Sequence, residues 1–377
     1  MRDGNLAHET APPLDITTSK GMLEWMTEQH AGVAFTTYTG GKLFLLGPNG
    51  GQRLSVFERS FDRTLGLAHV GNQLIMASQF QIWRFGNALA PGQTADGYDR
   101  LYVPQVAYTT GDLQVHDIAV AANGKIVFAN TLFSCIAAVN EEYSFTPLWR
   151  PKFVTALAPE DRCHLTGLAM EHGLPRYVTV SARTDRPQGW KDDTRSGAVI
   201  DAQKGDIVCE GLSFPSSPRV IDGRLWLHES GSGYFGYVDM KTGTFERVVL
   251  CPGFVRGLDV VGDFAVAAAS KLHEGEALDG LPLAAALRRH RAEARCAVLV
   301  IDLKRGALMH WVRVEGIIDE IYDIAILPGC SRPAAIGLRG DDIKRVISIA
   351  PDKPAAAKAE PAGQRIVPRR RVSAPRR

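Results

Sequence analysis

Residues 217–250 read SPRVIDGRLWLHESGSGYFGYVDMKTGTFERVVL, and this stretch establishes the pattern that the rest of the chain repeats. A two-residue step, Ser217-Pro218, precedes an apolar strand, a turn and a second strand. Two more strands follow around the turn-forming triplet Lys241-Thr242-Gly243. The stretch therefore predicts four short antiparallel strands in succession.

The same kind of start occurs five more times. The steps are Leu65-Gly66, His116-Asp117, Thr166-Gly167, Arg256-Gly257 and Tyr322-Asp323. Their second members, with Pro218, stand at positions 66, 117, 167, 218, 257 and 323, so most intervals are close to 50 residues. A period of roughly 40–50 residues made only of short strands is typical of a β-propeller, since one blade cannot bury both of its faces alone. We predict an all-β, six-bladed β-propeller, with seven blades possible.

The turn from Asp239 to Gly243 has two counterparts, from Asp201 to Gly205 and from Asp302 to Gly306. Matching turns at the same place in three repeats support the predicted repeat. Strands are also predicted near both chain ends, at 33–37, 42–46, 54–58, 321–327, 335–338 and 345–349. Pairing the N-terminal strands with the C-terminal inner strand would close the ring and remove its exposed edges.

Three regions follow from this pattern. Residues 1–30 form an N-terminal extension, which contains a short helix with Leu23 and Met26 packed on the outside or at one mouth. Residues 31–350 form the propeller. Residues 351–377 are rich in Pro, Ala, Lys and Arg and poor in apolar residues, so we expect a disordered basic tail.

The bulk charge argues against several partners. The chain has 43 Lys and Arg against 41 Asp and Glu, and part of the basic excess lies in 368–377. The propeller thus lacks the basic surface that binding of nucleic acid requires.

No apolar run is long enough to span a membrane, and the N-terminus does not resemble a secretory signal. Six scattered cysteines indicate reduced thiols and a cytoplasmic protein. The tail could contact a protein partner.

Two long connections fall on one rim of the predicted ring. They are 183–197 and 271–295, and the second includes a helical stretch at 281–295. Loops of this length inside a compact domain are often functional lids. We therefore predict a helical lid over the channel mouth.

Polar residues stand at this mouth where structural strands would favour apolar ones. The candidate ligand-binding residues are His116, Asp117, His164, Thr166, Trp190, Ser217, Arg219, Arg256, Lys271, Glu320, Tyr322 and Asp323, to which Asn130 and Glu229 at second-strand ends are added. Arg219 and Arg256 could together bind a carboxylate or phosphate, or each could be paired with a carboxylate of the channel.

The other candidates also have alternatives. Asp117 and Asp323 could simply satisfy backbone N–H groups at a turn. His116 and His164 could ligate a metal together with Glu320 or Asp323, although the sequence contains no diagnostic metal-ligand spacing. No nucleophile elbow, zinc-protease motif or Walker loop is present.

Several motifs in order resemble a known family. They are FTTYTGGKLFLLG, VHDIA, NTLFSC, CHLTGLA, TDRPQGW, GRLW, VRGLD and EIYDIAILPG. These motifs resemble a bacterial conserved-hypothetical propeller family, a domain of unknown function, over about residues 30–340. The resemblance implies a propeller and no particular reaction.

The layout is more loosely similar to the gluconolactonase and strictosidine-synthase-like six-bladed propellers. That resemblance implies a divalent metal held in the central channel, with Glu320, Asn130 and either Asp323 or Asp117 as its ligands. The two histidines and two arginines of the channel depart from that pattern.

The predicted function is therefore binding of a small polar, anionic ligand at the channel mouth. A metal-dependent, lactonase-like hydrolase and a protein-interaction platform are the alternatives, since propellers support all three.

Overall fold

The computed structural model describes residues 13–51, 53–271, 280–347 and 349. Its strands, numbered in chain order, form six sheets arranged as propeller blades. The strand next to the channel in each sheet is one of the six predicted repeats. These inner strands are β5 (Leu67–Val70), β9 (Val115–Val120), β13 (Leu165–Glu171), β17 (Pro215–Ile221), β21 (Phe254–Val261) and β25 (Ile324–Pro328).

Three further strands complete each blade outward. The second strands are β2 (Ala31–Thr37), β6 (Gln73–Ala77), β10 (Ile126–Asn130), β14 (Leu174–Val180), β18 (Arg224–Glu229) and β22 (Phe264–Ser270). The third strands are β3 (Lys42–Gly47), β7 (Gln81–Asn87), β11 (Cys135–Ala138), β15 (Gly197–Asp201), β19 (Tyr234–Asp239) and β23 (Ala297–Asp302). The outer strands are β4 (Ser55–Ser60), β8 (Arg100–Thr109), β12 (Thr146–Trp149), β16 (Asp206–Leu212), β20 (Thr244–Leu250) and β24 (Ala307–Glu315).

The ring closes as predicted. Each inner strand contacts the inner strands of the two neighbouring blades, and β25 contacts β5. The sixth blade combines the C-terminal β25 with the N-terminal β2, β3 and β4, with Phe35 opposite Ile324 in the register. Because the last blade takes strands from both chain ends, it ties the ring shut without an open edge.

The three predicted turns between third and outer strands share one geometry. Gly205, Gly243 and Gly306 all have left-handed φ, between 63° and 76°. In each turn the glycine N–H donates to the backbone carbonyl of the aspartate four residues earlier, and that carboxylate accepts backbone N–H groups of the turn. The match confirms the phase of these joints.

Two blades have a fifth strand. β1 (Asp15–Thr18), which was not predicted, pairs with β24, and β26 (Pro333–Ala335) pairs in parallel with β8. The strand predicted at 335–338 overlaps β26 at Ala335 alone. The prediction of a strand at 345–349 was wrong for the residues described there, which follow a 3-10 turn at Asp342–Lys344 without forming a strand.

Two α-helices occur in the described ranges. α1 (Met22–Glu28) buries Met22, Trp25 and Met26 against the hydrophobic core between the fifth and sixth blades. α2 (Leu283–His290) is shorter than the helical stretch expected at 281–295. Neither helix is long and apolar enough to cross a membrane. The expected disordered tail, 351–377, lies outside the described residues.

The hydrophobic core is divided among the junctions between blades. One cluster joins the facing sides of the sheets at each junction, such as Leu168 and Val178 against Val127 and Ala129. All six cysteines are buried and free of disulfides, as expected for reduced thiols. Burial raises the pKa of the Cys163 thiol to about 12, which keeps the thiol protonated.

A buried histidine makes stability depend on pH. His228 is fully buried, and its Nε2 donates to the Gly257 carbonyl oxygen at 3.0 Å. Burial, with a smaller effect of Arg219, lowers its pKa to about 4, against a hydrogen bond to Gly257 that favours the charged ring. Between pH 6.5 and 4 the unfolded chain therefore takes up a proton that the folded chain does not, so stability falls as the pH falls.

We expect His228→Gln to flatten this dependence, because glutamine can still donate to Gly257 and does not titrate. From pH 7 to pH 4 the wild type should lose on the order of 3 kcal/mol more folding free energy than the variant. Urea denaturation at a series of pH values measures the difference. Parallel pH profiles for the two proteins would contradict the assignment.

Candidate functional site

A small cavity lies at one mouth of the channel. It is lined by His116, His164, Thr166, Phe214, Ser216, Ser217, Ser230, Phe254, Arg256 and Tyr322. The volume of the cavity is about 20 Å³, which leaves room for one or two water molecules or a group of similar size. Six of the predicted site residues thus meet in one place: His116, His164, Thr166, Ser217, Arg256 and Tyr322.

Arg256 is the lining residue that carries a permanent charge. Its guanidinium lies between two rings, 4.9 Å from the centre of Phe254 and 4.8 Å from that of Tyr322. One hydrogen bond, Nη1 to Glu320 Oε1 at 3.3 Å, pairs it with a carboxylate, and both side chains are 23% exposed. Glu320 also accepts from the Thr39 hydroxyl. A single long bond leaves most of the guanidinium N–H groups available to another acceptor.

Tyr322 contributes a second donor. The residue is buried, and its hydroxyl has no hydrogen-bond partner among the residues described. Burial raises the pKa of Tyr322 well above its usual value, ahead of the opposing effect of Arg256. The hydroxyl therefore stays protonated, and a buried hydroxyl without a partner costs free energy that a ligand could recover.

A carboxylate, Asp161, orients His164. Asp161 Oδ2 lies 2.8 Å from His164 Nδ1 and also accepts from Trp190 Nε1 at 2.8 Å. The Trp190 ring stacks on the imidazole with 4.0 Å between the ring centres. Because Asp161 engages Nδ1, the other ring nitrogen of His164 is the one left for the cavity.

His116 stands between the other rings of the site. Its ring meets those of His164 and Tyr322 edge to face, with centres 4.8 and 5.4 Å apart. Burial, then the nearby His164 and Arg256, lower the pKa of His116 well below its usual value. His116 is therefore a neutral ring near pH 7, with one nitrogen that donates and one that accepts.

The structure separates Arg219 from Arg256. Arg219 makes two hydrogen bonds to the Asp117 carboxylate, Nη1 to Oδ2 at 2.9 Å and Nη2 to Oδ1 at 3.0 Å. Its side chain lines a wider space further along the inner strands, towards the other end of the channel. The two arginines do not form the anion-binding pair that we considered, and each is paired with a carboxylate instead.

Asp117 and Asp323 have structural contacts. Asp117 accepts from the backbone N–H of Leu168, at 3.0 Å, in the next blade, and Asp323 accepts from that of Leu67, at 2.7 Å. Burial and the neighbouring Asp117 raise the pKa of Asp323 well above its usual value. These carboxylates link blades by satisfying backbone donors, which was the alternative to a ligand role.

The remaining predicted residues lie around the cavity rather than in it. Lys271 pairs with Asp319 at 3.2 Å, and Glu229 pairs with Arg247 at 2.8 Å in a separate cleft. Trp190, on a 3-10 turn at Gly189–Asp192, packs with Phe214, Phe254, Leu281 and Leu283. Residues of both long connections thus pack in one cluster with Phe214 and Phe254, while 272–279 lies outside the described residues.

The side chains considered as metal ligands in the channel are not arranged to bind a metal ion. Asn130 is fully buried and its Oδ1 accepts from the Phe133 N–H, while Glu320, Asp117 and Asp323 are engaged as described above. Within the described ranges, no group of three or more His, Cys, Asp or Glu is placed to hold a metal ion. We therefore derive no step through a metal.

Sequence reasoning missed Asp161, Ser216, Ser230, Phe214 and Phe254. The i, i+3 spacing of Asp161 and His164 was the available signal for the first. The two serines serve the junction between the fourth and fifth blades, since both hydroxyls donate to the Val255 carbonyl oxygen. The two phenylalanines gave no signal, because an apolar residue at a strand start is ordinarily a core residue.

The solved structures that resemble this chain do so at low sequence identity. No curated protein matches the sequence. Among solved structures, the chain is similar to a chain of the nidogen/laminin complex at 12% identity, covering 79% of this chain and 99% of that one, with a TM-score of 0.48. It is also similar to a protein of unknown function from Bacteroides caccae at 11% identity, covering 79% and 98%, again with a TM-score of 0.48.

The family comparison covers most of the chain. Residues 20–336 match a family described as a domain of unknown function, DUF4915. That range includes all six inner strands and every residue that lines the cavity at the channel mouth. The chain therefore belongs to the DUF4915 family.

Proposed function

We propose that the channel mouth binds a small anion through a carboxylate or a group of similar size. The observation that carries the proposal is the meeting of Arg256 and the unpartnered Tyr322 hydroxyl in one cavity. A guanidinium and a neutral hydroxyl are donors, so together they favour an acceptor with negative charge. The small volume limits the bound group to the size of a carboxylate, whether free or the head of a larger molecule.

The surroundings support an anion over a cation. His116 is uncharged near pH 7, and none of the ten described residues that line the cavity carries a carboxylate. The nearest acidic partner, Glu320, makes one long hydrogen bond to Arg256 and is itself partly exposed. The positive charge of Arg256 is thus incompletely compensated, which favours an added negative charge.

Backbone strain also marks this region. His164, Phe214 and Ser217 have φ of 47°, 50° and 49°, a left-handed conformation that non-glycine residues rarely adopt. All three line the cavity. Strain of this kind tends to persist where it positions groups for binding. We infer that the predicted lid segments, through Trp190 and Leu283, help to exclude water from the bound group.

A second candidate function is favoured by the Asp161–His164 contact. A carboxylate at one ring nitrogen fixes the imidazole and leaves the other nitrogen to accept or donate a proton. Such a pair suits proton transfer to a bound substrate. Binding comes first in either case, so the binding test below serves both candidates.

The test compares formate with formamide, its neutral isostere. We expect formate to shift the imidazole resonances of His116 and His164 with saturation, and formamide to shift them far less, because only formate gains charge-assisted bonds to Arg256. Nuclear magnetic resonance titration of the histidine side chains measures both. Equal responses to the two compounds, or no saturable response to formate, would overturn the proposal.

A further inference from the structure

A second and larger cleft lies beside α2, away from the channel. Its polar lining includes Arg195, Ser213, Glu229, Tyr234, Arg247 and Arg289. The volume of this cleft is about 290 Å³, compared with about 20 Å³ for the cavity at the channel mouth. The cleft is therefore large enough for a small organic molecule.

The charge in this cleft is strongly positive. Three arginines face one carboxylate, Glu229, and Arg247 already pairs with it through Nη2 at 2.8 Å and Nε at 3.2 Å. Arg195 and Arg289 form no ion pair with any residue of the described part of the chain. Among the described residues, two guanidinium charges around one space are thus left without an acidic partner, which favours an anion with two negative charges.

A buried hydroxyl points to the same conclusion. Ser213 is 1% exposed, lines the cleft, and its Oγ has no hydrogen-bond partner in the described ranges. Its neighbour Ser232 is engaged, since its hydroxyl donates to the Glu229 carboxylate. Buried hydroxyl groups are ordinarily hydrogen-bonded, so Ser213 is a donor that lacks its acceptor.

The other side of the cleft is apolar and firmly attached. Pro282, Ala285 and Ala286 present small side chains from α2 and its start. The backbone N–H of Leu283 donates to the Gly231 carbonyl oxygen at 2.8 Å, and at the other end of the helix His290 Nε2 lies 2.9 Å from the Tyr234 hydroxyl. The helix thus spans the cleft between two fixed ends and offers an apolar wall to an organic group.

We propose that this cleft binds a phosphate monoester of a small organic molecule. The dianionic phosphate lies between Arg195 and Arg289 with Ser213 as a further donor, and the organic part contacts the alanines of α2 and the Tyr234 ring. A phosphate dianion matches the two unpaired guanidinium groups in charge, and their planar forks match its oxygens in geometry. This site is independent of the channel mouth.

The test uses phenyl phosphate, with inorganic phosphate and phenol as the separate halves of the probe. Titration calorimetry should find phenyl phosphate binding more tightly than inorganic phosphate, and phenol not binding, because the charge supplies most of the affinity and the apolar wall adds to it. Hydrogen exchange of the amides of 283–290 should slow on binding, since the ligand bridges α2 to the blade.

Variants locate the site. Arg289→Ala and Arg195→Ala should each weaken phenyl phosphate binding at least about tenfold, through loss of a charge-assisted contact. Arg288→Ala is the matched control, because it removes the same charge from the adjacent position of α2 without touching the cleft. Arg256→Ala controls for binding at the channel mouth. Both controls should bind within about twofold of the wild type.

All four arginines can be tested without loss of the fold, since Arg195, Arg288 and Arg289 are exposed and Arg256 is partly exposed. Equal losses in Arg288→Ala and Arg289→Ala would reduce the effect to net charge and overturn the proposal. Loss of binding in Arg256→Ala alone would place the phosphate at the channel mouth and also overturn it.

Discussion

Replacing Asp117 with alanine is expected to lower the free energy of unfolding by about 3–5 kcal/mol, as for other buried pairs that lose one partner. The Asp117 side chain is 3% exposed, and its carboxylate accepts two hydrogen bonds from Arg219 and one each from the backbone N–H groups of Ile118 and Leu168. Alanine would leave the guanidinium without the carboxylate that it hydrogen-bonds and the Leu168 N–H, in the next blade, unsatisfied. Urea denaturation followed by circular dichroism measures the loss.

Glu210→Ala provides the matched control. Glu210 also pairs with an arginine, Arg183, but the two side chains are 63% and 47% exposed. Water and salt screen such a pair, so its loss should cost no more than about 1 kcal/mol. A loss below about 1 kcal/mol for Asp117→Ala as well would show that the channel pair is not desolvated in solution, contrary to our assignment.

Arg256→Ala is expected to weaken formate binding at the channel mouth roughly ten- to a hundredfold. The guanidinium is the permanent charge of the cavity, and loss of a hydrogen bond to a charged group corresponds to roughly ten- to a hundredfold in affinity. Stability should fall by only about 1–2 kcal/mol, since the pair with Glu320 is partly exposed and the stacking on Phe254 and Tyr322 is a modest contribution. Titration and thermal unfolding of the same samples measure both effects.

Arg313→Ala is the control for this variant. Arg313 stacks on Trp311, with its guanidinium carbon 4.3 Å from the ring centre, and does not line the cavity. It loses a charge and a ring contact of the same kind and should bind formate like the wild type. Wild-type affinity in Arg256→Ala, or an unfolded Arg256→Ala protein, would make Arg256 a structural residue and end the anion-site proposal.

Much of the site could have been placed from the repeat alone. In the six aligned steps, the residues in the first position are Leu65, His116, Thr166, Ser217, Arg256 and Tyr322, and all but Leu65 line the cavity. Two positions later stand Leu67, Ile118, Leu168, Arg219, Leu258 and Ile324, all of which line the wider space beyond it. The two positions are two residues apart along each inner strand, so they lie at different depths of the channel. In four repeats a shift in register falls at this step.

For the two arginines, position in the repeat predicts location in the channel better than residue type does. Arg256 stands in the first position of its repeat, and Arg219 stands two positions later in its own repeat. The alignment of the repeats therefore already places the two residues at different depths of the channel. The hypothesis of an anion-binding pair rested on the charge of the two residues and not on their positions in the repeat. Their carboxylate partners, Asp117 and Glu320, could not have been assigned, because each comes from a different blade.

The sequence by itself determined the inner strands, the three aspartate–glycine turns and the closure of the ring, because strand alternation and turn geometry are local properties that repeat with the blade. Only the tertiary structure decided that β1 and β26 extend two blades, that Asp117 neutralises Arg219, and that α2 docks on the fourth blade beside a second cleft. These contacts join segments whose proximity depends on how the blades pack, and each satisfies a charge, a strand edge or a backbone donor that the local sequence leaves open.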